Sequence, residues 1–93
     1  MTASIRVIVK DHTGENCATM QLPGNRTIRQ ILPRILDRLA LPQEEDSGEP
    51  ISYALYNDSE EGKPYLEQSQ KVREVVREGQ RLCTVPEIIA GAR

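Results

Sequence analysis

Between residues 27 and 41 the apolar positions fall at Ile28, Ile31, Leu32, Ile35, Leu36 and Leu39. That spacing, i, i+3, i+4, i+7, i+8, i+11, traces one face of an α-helix. Arg29, Arg34, Asp37 and Arg38 occupy the other face. Thr27 is a natural N-cap, because its hydroxyl can accept an orphan backbone N–H of the first turn. Pro42 is expected to stop the helix, since a residue before proline avoids the α region. Pro33 interrupts the pattern away from the apolar stripe. An interior proline costs about 3 kcal/mol, and a kink toward solvent is the expected accommodation. A stripe this wide needs a sheet to bury it.

The flanking segments change period from 3.6 to 2. In Ile5-Arg6-Val7-Ile8-Val9-Lys10, the residues Ile5, Val7 and Val9 share a face. Asp11 to Glu15 contains Gly14 and reads as a hairpin loop. Residues 16–22 form a second strand with Ala18, Met20 and Leu22 on one side. Pro23-Gly24-Asn25 is turn chemistry that leads to Thr27. After the helix, residues 42–50 read as a solvated acidic connection. Ile51 to Tyr56 is a third strand, residues 57–62 a second acidic turn, and Tyr65-Leu66 a short return strand. Val72, Val75 and Val76 have the spacing of a helical turn. Arg81 to Val85 is the last strand, ended by Pro86.

The expected architecture is therefore α+β: one long helix on a four- or five-stranded mixed sheet. Its core is assigned to Val7, Val9, Met20, Leu22, Ile28, Ile31, Ile35, Leu39, Val76 and Leu82. Residues 1–86 make one domain and residues 87–93 a flexible C-terminal tail, because they follow a proline and carry Gly91 among small neighbours.

Composition narrows the function. With 93 residues, one compact core is all the chain can build. There is no Phe or Trp, so the core is aliphatic and an aromatic platform for single-stranded nucleic acid is missing. A net charge of −2 argues against nucleic-acid or anionic-membrane binding. No apolar run is long enough to span a bilayer and no signal-peptide pattern is present, which predicts a cytoplasmic protein without membrane insertion; a monomer is expected. Cys17 and Cys83 lack paired spacing and are expected to be reduced, half-buried strand residues. The single histidine, His12, lies in a loop without an evident nucleophile partner, so no catalytic activity is expected. Two Cys and one His, scattered along the chain, do not have zinc-ligand spacing, and no cofactor is expected.

The order strand, hairpin, strand, helix, strand, turn, strand resembles the ubiquitin fold, the β-grasp. Ile5 to Lys10 followed by Thr13-Gly14 resembles the first ubiquitin hairpin. Thr27-Ile28 with Ile31 and Ile35 resembles its helix. Val72 to Val76, then Glu78-Gly79-Gln80-Arg81-Leu82, resembles the entry to its last strand. The resemblance covers nearly the whole chain and implies one of two functions. Counted from Leu82, Ala90-Gly91 falls where protein modifiers carry Gly-Gly. That implies a ubiquitin-like modifier of a bacterial or archaeal system, matured after Gly91 and attached through its C-terminal carboxylate. Its partners would be a processing protease, an activating enzyme and a conjugating enzyme. The chain departs from the pattern with Ala90 in the first position and Ala92-Arg93 after the second. Alternatively, Ile31-Leu32-Pro33-Arg34-Ile35-Leu36 resembles the helix of the ubiquitin-like domains of EccD type, and Glu78 to Leu82 resembles a turn of the YukD/EsaB ubiquitin-like family, which implies a non-conjugated adaptor in type VII secretion. In either case the resemblance implies a partner-binding patch on the outer sheet face, formed here by Ile8 with Arg6, Lys10 and Arg81 around it.

Overall fold

A computed structural model of the chain describes residues 4–87. Four strands and two helices run in the order β1 (Ser4–Asp11), β2 (Cys17–Pro23), α1 (Ile28–Arg38), β3 (Tyr53–Asn57), α2 (Val72–Val75) and β4 (Arg81–Pro86). The four strands form one mixed sheet in the order β2-β1-β4-β3. β1 pairs antiparallel with β2, Val7 opposite Met20, and parallel with β4, Lys10 opposite Cys83. β3 closes the other side antiparallel to β4, Tyr56 opposite Cys83. This is an α+β, β-grasp arrangement.

The helix starts where Thr27 predicts. The Gln30 N–H donates to Thr27 Oγ1 (3.2 Å) and the Thr27 N–H donates to Gln30 Oε1 (3.0 Å), a reciprocal capping box. Two more first-turn donors find partners in the loop before α2: Ile28 N–H bonds the Gln68–Gln70 segment at Gln70 O (2.9 Å) and Arg29 N–H at Gln68 O (3.0 Å). The helix ends earlier than Pro42 suggests. Ala40 adopts a left-handed φ of 55°, Ala40 N–H bonds Asp37 O (3.1 Å) and Leu41 N–H bonds Leu36 O (2.9 Å). These two bonds make a Schellman motif with alanine in the position that glycine usually fills. Pro33 does lie within α1, and it is exposed.

Ile28, Ile31, Leu32, Ile35, Leu36 and Leu39 turn into the sheet and meet Val7, Val9, Leu22, Tyr53, Leu55, Val72, Val76 and Leu82. Met20 is only half-buried at the margin of this cluster. The reason is topological: β2 is an edge strand, so the helix covers it incompletely. Tyr53 and Leu55 join the core on the inward-facing alternate positions of β3, which begins at Tyr53 rather than Ile51. Ile51 N–H is held instead by Gln43 O (2.9 Å), across a small loop closed by the Glu44–Pro50 bridge. Tyr65 makes one isolated bridge to Tyr56, and Leu66 N–H donates to Leu55 O (2.8 Å). The expected return strand thus exists as local pairing and not as a strand of the sheet.

The cysteines are free, as expected, but neither is half-buried. Cys17 is exposed on the edge strand β2, and Cys83 is buried in β4. β1 lies between their strands, with Lys10 paired to both residues. Two strand spacings, about 9.5 Å, separate them.

Candidate interaction surface

The outer face of the sheet is assembled by alternation. With Val7, Val9 and Leu82 turned inward, Ile8, Lys10, Arg81, Cys83 and Tyr56 point outward. The ladder register sets Ile8 between Thr19 and Arg81, and Lys10 between Cys17 and Cys83. Ile8, Lys10 and Arg81 therefore share one surface, as the sequence suggests. Arg6 is exposed on the same face opposite Gln21, with its backbone N–H donated to the Glu78 carboxylate (2.8 Å).

Asp58 organises this surface. It follows β3 directly, and its side chain is 8% exposed. Lys10 Nζ lies 2.9 Å from Oδ2, Lys63 Nζ 3.2 Å from Oδ1, and Arg81 Nε 3.8 Å from Oδ2. The Oδ1 atom is buried without an aligned hydrogen bond, so its contact with Lys63 is one of charge. The hydrogen bond from Lys10 holds the Asp58 carboxyl below its ordinary pKa, and Lys63 reinforces it against the opposing effect of burial. The same bond raises the pKa of Lys10. Two of the four residues in the expected patch, Lys10 and Arg81, are thus already engaged by an internal carboxylate.

The neighbouring row is covered by aromatic rings. Tyr56 and Tyr65 pack edge to face with centroids 5.7 Å apart. The Tyr56 phenol is pushed above its ordinary pKa, first by its hydrogen bond with the Cys83 sulfur and then by burial. Burial chiefly raises the Cys83 thiol as well, so it stays protonated and unreactive at neutral pH. Tyr65 is 56% exposed and is the large apolar side chain that most clearly faces solvent among the described residues.

Asp58 escapes notice in the sequence because its partners come from β1, β4 and a turn. The only local signal is an Asp at the exit of a strand, which equally suits a solvated turn. Asp11 plays the corresponding part in the β1–β2 hairpin. Its carboxylate accepts hydrogen bonds from Thr13 Oγ1 (2.8 Å) and Asn16 Nδ2 (2.7 Å). Burial pushes its pKa up, yet these bonds together outweigh burial and leave it lowered.

A second surface lies at the end of the sheet. A groove of about 530 Å³ opens between the β1–β2 hairpin and the chain that follows α1. Leu41, Pro42, Ile51, Tyr53 and Pro86 line it, with His12, Glu15, Glu45 and Glu87 at its rim. Tyr53 fixes one wall by donating its hydroxyl to Pro42 O (2.8 Å). Glu87 N–H donates to Ser52 O (2.8 Å), which ties the residue after β4 to the groove wall. Ala90 and Gly91 lie outside the described residues.

Among the described residues no group of three or more His, Cys, Asp or Glu side chains is placed to hold a metal ion. No described helix is long and apolar enough to cross a membrane.

The fold defines the class: the chain has the ubiquitin-like β-grasp. It superimposes on Caldiarchaeum subterraneum ubiquitin with a TM-score of 0.65 and 12% identity, over 90% of this chain and 94% of that one. A protein described as a molecular mimic of SUMO that promotes DNA repair gives 0.59 and 14% identity, over 88% and 90% of the two chains. The C-domain of the Hsp90 co-chaperone Cns1 from Saccharomyces cerevisiae gives 0.69 and 9% identity, over 97% of this chain and 64% of that one. No family model matches the chain, and no curated protein matches it in sequence.

Proposed function

We propose that the chain is a ubiquitin-like protein modifier, matured after Gly91 and joined to its targets through the Gly91 carboxylate. The observation that carries this reading is the course of β4. It lies inside the sheet and ends at Pro86, and Pro86 and Glu87 line an open groove. A modifier needs a rigid body that partners can grip and a carboxylate at the end of a chain that can enter an enzyme channel. Glycine suits that channel because it has no Cβ to obstruct close backbone approach. A free carboxylate is inert toward amines, so ATP and an activating enzyme must supply the chemistry. A conjugating enzyme then carries the activated chain, and a protease removes Ala92-Arg93. The chain itself contributes no catalytic side chain to these steps.

The proline inside α1 supports a second reading, the non-conjugated adaptor of YukD/EsaB type, because Pro33 stands in the segment that resembles the EccD-type domains of type VII secretion. The two readings separate in one reconstitution. Residues 1–91, mixed with ATP and an activating enzyme for ubiquitin-like modifiers from the same organism, should form a thioester that a reducing thiol cleaves. With Gly91→Val the thioester should fall at least tenfold while the fold is retained. Absence of any thioester with an active enzyme favours the adaptor.

A further inference from the structure

The two edges of the sheet are finished differently. The outer edge of β3 is covered by residues 64–68. Asn57 N–H donates to Pro64 O (2.9 Å), Leu66 N–H to Leu55 O (2.8 Å) and Gln68 Nε2 to Tyr53 O (3.2 Å). β2 forms the opposite edge, and no described segment pairs with its outer side. The direction of its backbone groups follows from β1. Ile8 N–H donates to Gln80 O (3.0 Å) and Arg6 O accepts from Gly79 N–H (2.8 Å), so these two residues aim their backbone groups toward β4. Asp11 N–H donates to Asn16 O (3.1 Å), so the odd-numbered residues of β1 face β2. Such directions alternate along an antiparallel ladder. Ala18, Met20 and Leu22 therefore bond β1, while Cys17, Thr19 and Gln21 aim N–H and C=O away from the sheet. Edge strands are normally guarded against further pairing by charged side chains, a proline or a bulge. From Cys17 to Leu22, β2 has no charge and no proline, and its register with β1 is unbroken.

We propose that β2 pairs with β2 of a second copy of this chain, antiparallel about a two-fold axis at Thr19, so that two four-stranded sheets join edge to edge. Three observations favour this occupant. The first is register. Residues that aim outward must meet residues that aim outward. Setting Thr19 against Thr19 places Cys17 against Gln21 in both directions. All three outward residues then exchange both backbone bonds, and Pro23, which has no N–H, is left out. The second is packing. The axis stands perpendicular to the sheet, so both helices lie on the same side. Met20, half-buried at the margin of the core, gains Ala18 of the other copy across the new ladder. The third is charge. Exposed Glu15 precedes β2 and exposed Arg26 follows it. The antiparallel arrangement brings the Glu15 end of one copy to the Arg26 end of the other, whereas a parallel one would set Glu15 beside Glu15. A contact one strand wide falls below the roughly 1,200 Å² of stable complexes, so the pair forms reversibly as concentration rises.

This pairing does not rest on the modifier reading, and its test involves no enzyme. Sedimentation equilibrium of the full chain reads it directly. Between about 10 µM and about 1 mM the mass should rise from 10.5 kDa toward twice that value. In step with the mass, the amides of Cys17, Thr19 and Gln21 should exchange with deuterium more slowly, while those of Ala18 and Met20 stay constant. Thr19 is exposed, so Thr19→Lys and Thr19→Asp leave the core untouched. Each variant alone sets like charges face to face at the axis and should raise the dissociation constant about tenfold. An equimolar mixture of the two variants should recover the wild-type affinity. A wild-type mass that stays at 10.5 kDa throughout overturns the proposal. So does a dimer that both variants leave intact, or one that mixing them fails to restore, since its contact would lie elsewhere. The exchange measurement needs no variant: a Thr19 amide whose exchange is independent of concentration also overturns the pairing.

Discussion

On the outer face of the sheet, Lys10, Lys63 and Arg81 converge on Asp58; at the end of β4, Leu41, Pro42, Ile51 and Tyr53 line a groove. The first region looks like a binding surface in the sequence, because charged and apolar residues alternate on β1. Its charges are engaged with one another, and Tyr56 and Tyr65 cover the adjacent row. The second region gives no such sign in the sequence, yet it leaves apolar area open beside the chain's exit. The contrast shows that exposed charge on a small sheet can serve the fold first. Three cations around one nearly buried carboxylate fix β1, β4 and the turn after β3 relative to one another. The groove has no comparable internal partner among the described residues.

That contrast presupposes a well-packed inner face, and the largest expected effect tests it. Ile31 and Ile35 are 1% and 0% exposed beneath the sheet. Ile31→Ala or Ile35→Ala should each cost about 2–5 kcal/mol, a large share of a small domain's stability. Urea denaturation measures the loss, and a change below about 0.5 kcal/mol would contradict the assigned face.

Asp58→Asn addresses the outer face and should have a smaller effect. Lys63 and Arg81 keep access to water, so screening holds the loss near 1 kcal/mol at neutral pH. The pH dependence has a definite sign. A carboxyl whose pKa is lower folded than unfolded stabilises the fold above its unfolded value, about 4, and loses that contribution as pH falls through its folded value. Wild type and Asp58→Asn should therefore differ at pH 7 and converge toward pH 3 in urea midpoints. Asp11 titrates in the same direction, but it does so in both proteins. An equal gap at both pH values would mean that the Asp58 charge contributes nothing to the fold.

These predictions depend on features that the sequence discloses unevenly. The stripe of α1 is legible because helical period and burial are local, and Thr27 is legible as a cap for the same reason. The end of α1 is less so: Ala40 takes a left-handed conformation that glycine normally signals, leaving Pro42 as a false stop. Met20 has the right alternation for the core, but position at the sheet edge decides its exposure. The Asp58 cluster and the groove are built from segments far apart in the chain, and no local period encodes such meetings. The patch of Ile8, Lys10 and Arg81 was legible as a shared face, while the carboxylate that engages it was not.

The smallest perturbation uses the two ends of one row across the sheet. Cys17 lies on the open edge and Cys83 beneath Lys10 and Tyr56. In the folded, reduced protein, a thiol reagent should modify Cys17 promptly and leave Cys83 protected. After unfolding, two thiols should react. Prompt modification of both in the folded state would show that the outer face is open and would erase its contrast with the groove.

The proposed function is presentation of the Gly91 carboxylate to processing and activating enzymes. Intact mass spectrometry of residues 1–93, co-expressed with a processing protease and an activating enzyme for ubiquitin-like modifiers from the same organism, tests it most directly. The account predicts loss of the mass of Ala92-Arg93 and the appearance of higher-mass species in which target proteins carry residues 1–91. An unaltered mass for residues 1–93, with no adducts although both enzymes are active, would contradict it.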